Sequence, residues 1–374
     1  MLDRNSVVPL YYQIYQRLKR DILDGMYGYN EPIPSENRLV KKLAVSKLTI
    51  VKAIGMLVDE GLLVRKVGSG TYAKAANGSA SSDTRKREVL FVYPNILKLD
   101  GYLLNNPELD TSTITFSLYS ALYYANEHGF KIKPMGINTS ERRSLTEMLT
   151  AISSHYGVIA HYPFGDMITA LQEVAKMQDK IIISSFNVIE APRTYSIVVD
   201  NDSASREIAR WFVKKGHRRL AYIGLSSENY NSRIRWSAFS YELRKLGIEM
   251  DERYSYREGL YCNIPCGEQG AAALLGRLRI SEYPTGIYCF NDNVAAGVLR
   301  TLTRRGIKVP DDISLFGFNN STVSEAVYPK INSVSFDLFG IGMLAAQLLD
   351  RILFAQGEPP RVSLMKTKLV IKES

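Results

Sequence analysis

Apolar residues recur at helical spacing near the start of the chain and give way to short β-branched runs further on. In residues 9–25, PLYYQIYQRLKRDILDG, the side chains of Leu10, Ile14, Leu18, Ile22 and Leu23 fall at helical intervals, with Pro9 at the start and Gly25 at the end. Residues 34–72 then read as helix, tight turn, helix and two short strands around a glycine-rich tip. Ser35 is placed to cap the first of these helices and Ser46 the second. Leu39, Leu43, Val45, Ile50, Ile54 and Leu57 supply the apolar positions a unit of this size needs. The runs LLVRK and GTYAK on either side of Val67-Gly68-Ser69-Gly70 predict a two-stranded wing.

From Val89 onward the period changes. Runs at 89–94, 131–137, 157–163, 180–186, 195–201, 220–225, 285–292 and 313–318 are short, apolar and β-branched, and amphipathic segments such as 115–129, 142–155, 204–216 and 293–306 lie between most of them. Alternating strand and helix over this length predicts an α/β body of two doubly wound parallel-sheet lobes. Ligands of such sheets sit beyond the carboxyl ends of the strands. Residues 73–88, AKAANGSASSDTRKRE, have the small, polar and finally charged composition of a linker. The expected division is a winged helix-turn-helix domain over 1–74, a linker over 75–88 and a two-lobed body over 89–374.

Charge adds a direction to this outline. The 374 residues carry a formal net charge of +9, and residues 1–75 hold 12 Lys/Arg against 7 Asp/Glu, which favours an anionic partner for the N-terminal unit. Cys262, Cys266 and Cys289 are odd in number and lack paired spacing, so neither a disulfide framework nor a structural zinc site is expected. Four histidines, at 128, 155, 161 and 217, show no metal-ligand spacing. No nucleophile elbow, phosphate-binding glycine loop or metal triad stands in a suitable context, so no catalytic residue, metal or cofactor is expected. The N-terminus has no apolar core of a signal peptide and no run of 18 apolar residues occurs anywhere, which predicts a cytoplasmic protein with no membrane partner.

Basic and hydroxyl residues crowd the start of the second helix of the helix-turn-helix: Ser46, Lys47, Thr49 and Lys52. The ordered set PLYYQI at 9–14, IPSEN at 33–37, AVSKLTIVKAI at 44–54 and EGLLVRKVGSGTY at 60–72 resembles the winged-helix head of the GntR family of bacterial regulators. The resemblance implies DNA contacts from Ser35, Glu36 and Asn37, from Ser46, Lys47, Leu48 and Thr49, and from Lys66, Gly68, Ser69 and Gly70. Lys47 can neutralise phosphate or reach guanine acceptors, Glu36 can accept from a cytosine amino group, and Thr49 can touch phosphate or a thymine methyl. The two glycines let the wing backbone approach a groove, although a plain hairpin turn also uses them. Many relatives carry arginine where this chain has Lys47 and Val51. Lysine lacks the planar fork that reads guanine bidentately, and valine cannot donate, so the family's usual operator bases are not carried over.

The body resembles the effector domain of LacI-type regulators, itself similar to periplasmic sugar-binding proteins. The matching residues are VVDN at 198–201, KKGHRRLAYIG at 214–224, RWSAF at 235–239, FNDNVAAG at 290–297, RGIKVPDDISLFGF at 305–318 and GIGMLAAQLL at 340–349. A GntR-type head on a LacI-type body is the architecture of the arabinose-repressor subgroup. It implies an interlobe cleft in which Arg235 and Asn291 meet the ligand. Asn319 stands where relatives often have aspartate and Phe336 where some use a polar group. Tyr93, His161, Tyr162 and Phe186 follow strands of the first half and are candidates for the same cleft. Surface pairing for Arg235, helix capping for Asn291 and plain packing for the aromatics are the competing readings. Asp200, Asp292 and His217 are expected to be structural. Residues 95–112 make a longer connection than is usual after the first body strand, placed either to shape ligand access or as an idle insertion. The chain is expected to cross between lobes near Val199 and Phe336, which returns residues 340–354 to the first lobe.

The function expected from head and body together is a sequence-specific DNA-binding transcription regulator, a repressor, controlled by a small-molecule effector of carbohydrate type. It is expected to act as a homodimer on double-stranded operator DNA, because one head covers only a half-site. A solute-binding protein without a regulatory role is the alternative; it accounts for the body and leaves the basic head unexplained.

Overall fold

In the computed structural model, residues 2, 4, 10–23, 25–28, 31–59, 62–66, 69–74, 88–94, 112–138, 141–177, 180–259, 262–353 and 358–374 are described. Pro9, Gly68, most of the expected linker and the 95–111 connection lie outside them. The head contains α1 (Leu10–Leu23), α2 (Glu36–Leu43) and α3 (Lys47–Asp59), followed by the antiparallel strands β1 (Leu63–Lys66) and β2 (Gly70–Ala73). Ile14, Leu18 and Ile22 of α1, Leu39 of α2, and Ile50, Ile54 and Leu57 of α3 are buried together, so the helical periodicity of the sequence becomes one small core. Ala44, at φ 51°, ends α2 in a left-handed cap and makes the tight turn.

The first lobe is a six-stranded parallel sheet in the order β13-β7-β6-β5-β3-β4, formed by β3 (Glu88–Pro94), β4 (Lys131–Ile137), β5 (Gly157–His161), β6 (Ile181–Ser185), β7 (Thr194–Val199) and β13 (Val362–Met365). The second lobe is a four-stranded parallel sheet in the order β11-β10-β8-β9, formed by β8 (Leu220–Leu225), β9 (Ser255–Gly259), β10 (Gly286–Cys289) and β11 (Ser314–Phe316). Near-continuous burial along β5, β6, β7, β8 and β10 is what a parallel sheet covered on both faces requires.

Three stretches of chain cross between the lobes. The first follows β7, where Asp200 accepts from the Ser203 amide and caps α7 (Asn201–Lys214). The second is β12 (Ser333–Phe336), which leads into α12 (Leu338–Leu353). This helix packs on α4 (Ser112–Glu127) of the first lobe, with Gly342 set directly against the Ser117 carbonyl. The third, absent from the sequence reading, runs from β13 into β14 (Thr367–Val370), which pairs antiparallel with β12. The Asp200 amide donates to the Met365 carbonyl at 3.0 Å and ties the first crossing to the third.

In the second lobe, α9 (Ile264–Gly276) and α10 (Asp292–Arg304) cross at two glycines. A Cβ on Gly297 would lie 2.0 Å from the Ile264 carbonyl oxygen, and one on Gly267 would lie 2.0 Å from that of Val294. Neither backbone atom can move aside without separating the helices. The variant Gly297→Ala should therefore lose roughly 2 kcal/mol or more of stability by urea unfolding, in the range of overpacked cores. Gly276→Ala on α9, which meets nothing within 4 Å, serves as the tolerant control.

Candidate functional site

The head presents its candidate residues around the starts of α2 and α3 and on the wing. The Ser35 hydroxyl accepts from the Arg38 amide at 3.4 Å and caps α2. The Ser46 hydroxyl accepts from the Thr49 amide at 3.2 Å and lies 2.7 Å from the Thr49 hydroxyl. Lys47 is exposed, and Leu48 stands 77% exposed beside it, an apolar side chain with no reason to face water in an isolated head. Asn37 is also exposed. Glu36 pairs with Arg65 of β1 at 3.4 Å, an ion pair that binds the start of α2 to the wing. The Lys66 ammonium lies 4.5 Å from the centre of the Tyr72 ring, and the Ser69 hydroxyl lies 2.6 Å from that of Tyr72. Gly70 adopts φ +130°, a conformation that favours glycine, at the entry to β2. Arg65 was not among the sequence candidates; its signal was a basic residue one position before Lys66 on the same strand.

The two lobes face each other across the carboxyl ends of their strands. On the first lobe, His161 ends β5 with its ring stacked on Phe91 and edge-on to Phe186, at 5.9 and 5.1 Å between centres. Its Nδ1 lies 3.2 Å from the Ser185 hydroxyl. Tyr162 follows, half-buried, with its ring 5.4 Å from Phe186 and its hydroxyl facing Asn229, Asn231 and the Arg235 charge of the second lobe. Burial is the main cause of its raised pKa. Phe336, on the second crossing, touches Phe186 of one lobe and Phe318 of the other, each at 6.2 Å. Tyr93 closes β3 beside Phe91, at 6.2 Å.

On the second lobe, Arg235 lies on α8 (Tyr230–Lys245), a helix capped by the Asn229 side chain. Its guanidinium is 3.5 Å from the Phe318 ring centre and 4.6 Å from that of Phe290. Nε donates to the Asn201 side chain at 2.8 Å and Nη1 donates to the Phe290 carbonyl. Asn291 is used structurally at both ends: its Oδ1 caps α10 by accepting from Val294 at 2.9 Å, and its Nδ2 donates to the Cys262 carbonyl at 3.1 Å. Asn319 follows Phe318 at φ 97°, its amide donating to the Val334 carbonyl. Phe290 and Phe318 escaped the sequence reading, although each lies just past the end of a strand. Asp292 is wholly buried, accepting from the Ser321 amide and the Ser333 hydroxyl, and burial pushes its pKa up to about 6. His217 packs at the end of α7 against Trp211 and Phe212.

Two features concentrate at this cleft. Of the six non-glycine residues with positive φ among those described, Tyr162, Phe186, Asn319 and Asn320 all border it. Such conformations cost about 1–3 kcal/mol each and persist only where the surroundings enforce them. Of the seven buried polar side-chain atoms without a hydrogen-bond partner among the described residues, four lie at the ends of strands or in the loops and helix starts that follow them: His161 Nε2, Asn187 Oδ1, Asn293 Oδ1 and Asn320 Oδ1. Among the described residues no cluster of three or more potential metal ligands occurs, and no helix is long and apolar enough to cross a membrane.

Residues 10–73 match the model of bacterial regulatory proteins of the gntR family, and residues 209–374 match that of the periplasmic binding protein-like domain. An arabinose metabolism transcriptional repressor of Geobacillus stearothermophilus is 21% identical over 94% of this chain and 93% of its own. The transcriptional repressor CytR of Escherichia coli K12 is 27% identical over 48% of this chain and 51% of its own. Among solved structures, a CelR regulator in complex with cellobiose superposes with a TM-score of 0.66 at 18% identity, over 88% of this chain and 91% of that one. A periplasmic binding protein/LacI regulator of Alkaliphilus metalliredigens complexed with D-xylulofuranose gives 0.59 at 20% identity, over 77% and 98%. The fold of the two parallel-sheet lobes is thus shared with LacI-type regulators, while the winged helix-turn-helix head is that of the gntR family model.

Burial holds the His161 imidazole neutral, with its pKa pushed down to about 3 from 6.5. In the unfolded chain the ring protonates near pH 6.5, so its contribution to stability is complete above that pH and is lost as pH falls toward the folded value. The slope is at most about 1.4 kcal/mol per pH unit for one proton. His155 and His217 are also lowered and add to the loss in the same window. The difference between wild type and His161→Phe, measured by denaturant titration from about pH 6.5 down to about pH 4.5, should isolate one proton's worth of that slope.

Proposed function

We propose, from the union of a GntR-family head and a periplasmic-binding-protein-like body in one chain, a transcription regulator that binds operator DNA and is controlled by a small molecule in the interlobe cleft. The observation that carries this reading is the pairing of two different machines. One is a basic winged head with Lys47 and Leu48 standing free of its core, and the other is an interlobe cleft bordered by residues held in strained conformations, with Arg235 and Tyr162 facing each other across it. A solute-binding protein has no use for the head.

Repression is the sense favoured by the arabinose-metabolism and CytR relatives, and a sugar or sugar derivative is the ligand class favoured by the neighbours bound to cellobiose and D-xylulofuranose. The aromatic rings of Tyr162, Phe186 and Phe336 suit the C–H faces of a sugar, and the amides and Arg235 suit its hydroxyls. In the head, Ser46, Lys47, Leu48 and Thr49 enter the major groove. Ser35 and Asn37 meet phosphate from the start of α2, and Lys66, Ser69 and Gly70 follow the wing to the adjacent backbone. The chain works in the cytoplasm, as a homodimer, because a single head reads one half-site and two related by a twofold axis read a palindrome. No catalytic role is assigned.

Ligand binding draws the lobes together around Tyr162 and Arg235 and thereby alters the spacing of the paired heads. Only unequal affinity for the two lobe arrangements can drive this shift. The Tyr11 hydroxyl, 2.6 Å from that of Thr150 on α5 (Arg142–Ser154), attaches the head to the first lobe, so lobe movement carries the head with it.

Selection of bound duplexes from a randomised DNA pool, followed by mobility shift on the enriched sequence, tests the head. Lys47→Ala should weaken binding by about tenfold, and Lys66→Ala should reduce the slope of log affinity against log salt by about one. Unchanged affinity and salt slope in both variants would sink the assignment. Titration of mono- and disaccharides into the full chain, with release of that operator as the readout, tests the cleft. Arg235→Ala should abolish the response while leaving operator affinity intact.

A further inference from the structure

Resting on the reading of the cleft as the effector site, we infer that the effector is an acidic polyhydroxy compound, a sugar carrying a carboxylate or phosphate group, and that Arg235 seats the acid. Arg235 is only 4% exposed, yet everything that touches its guanidinium is neutral. Nε is bonded to an amide, Nη1 to a backbone carbonyl, and the flat faces lie against Phe290 and Phe318. Among the described residues no carboxylate lies within ion-pair distance of it.

The nearby acids are already committed. Glu242, further along the same helix, pairs with Arg206 and Arg210. Asp292, beside Asn291, is turned toward Ser321 and Ser333. Asn319, next to the Phe318 ring on which the guanidinium stacks, supplies an amide and no charge. Taking a guanidinium out of water without a counter-charge is costly, and proteins usually pair or fully bond such a group. Here the pairing is left open: among the described residues Nη2 has no hydrogen-bond partner, so two donors of the planar fork are unused. A carboxylate or phosphate oxygen completes that geometry with charge-assisted bonds, which a sugar hydroxyl cannot match.

The rest of the ligand follows from the sugar reading of the cleft. There the Tyr162 hydroxyl and the side-chain amides of Asn229 and Asn231 stand across from one another near Arg235 and offer partners to hydroxyl groups. Aromatic rings on both lobes and on the second crossing cover the carbon skeleton. Acid at one end and hydroxyls at the other distinguish this occupant from a neutral mono- or disaccharide.

Calorimetric titration of the full chain with matched sets tests the inference. Each set holds a neutral sugar, its aldonate and uronate, and its phosphate; the last two classes separate a carboxylate from a phosphate. At least one acidic member should bind about tenfold or more tightly than its neutral parent. Arg235→Gln should remove that preference. Because this variant risks misfolding, Asn319→Asp provides the second arm: a carboxylate next to the Phe318 ring on which Arg235 stacks should weaken the acid about tenfold more than it weakens the neutral sugar. A neutral sugar binding as tightly as its acids, no acid binding at all, or Asn319→Asp leaving acid affinity unaltered would each overturn the inference. Operator release, measured in parallel, separates it from the regulator reading. A neutral sugar that releases the operator leaves the regulator standing and removes the acid; an acid that binds tightly without affecting the operator does the reverse.

Discussion

Everything in the body depends on how the chain gets from one lobe to the other. The three crossings are fastened to one another: β12 pairs with β14, and the Asp200 amide holds the Met365 carbonyl. Asp292 fastens this bundle to the second lobe by accepting from the Ser333 hydroxyl at the start of β12 and from the Ser321 amide in the loop before it. A buried carboxylate is a costly device, as its raised pKa records, and the hydrogen bonds it accepts offset that cost. The lobes are consequently hinged along one edge, and their facing surfaces are the carboxyl ends of two parallel sheets.

That arrangement explains why strain and unmet polarity collect in one place. Where a parallel strand ends, the chain must turn sharply away from the sheet, and after β5 and β6 it does so through Tyr162 and Phe186 in left-handed conformations that bulky residues avoid. The hydrogen bonds from Tyr162 to the Ser185 carbonyl and from Phe186 to the Ile197 carbonyl hold them there. The reward is geometric: both rings are turned inward, toward Phe336 and the second lobe, instead of outward into solvent.

How far this was legible in the sequence follows from the range of the forces involved. The winged head was readable almost residue by residue, because caps such as Ser35 and Ser46 and the periodicity of α1 are local signals. The eight body strands named from apolar runs all appear, at boundaries within a few residues. Four others, β9, β12, β13 and β14, were missed. The last three lie at the crossings and carry polar or half-exposed positions, so burial on both faces never wrote its signature there. In the cleft, the resemblance placed Arg235 and Asn291 at a strand's carboxyl end or the start of the helix after it, but it could not show that both amide ends of Asn291 serve the fold. Phe290 and Phe318 were invisible as a pair because they become neighbours only when β10 and β11 align in register.

The head and the body make opposite uses of positive charge. In the head, Lys47 is exposed to water, where a charge costs little; Arg65 and Lys66 are already engaged by Glu36 and the Tyr72 ring. In the body, Arg235 has been taken out of water at considerable cost and held rigid between two rings. A mobile lysine suits a partner whose phosphates repeat along a groove, since small displacements lose little. A clamped guanidinium suits a partner that must be met in one orientation. Under the proposed function the chemistry of the two cations divides the work of the chain: the head contributes affinity for a polymer, and the body contributes discrimination among small molecules.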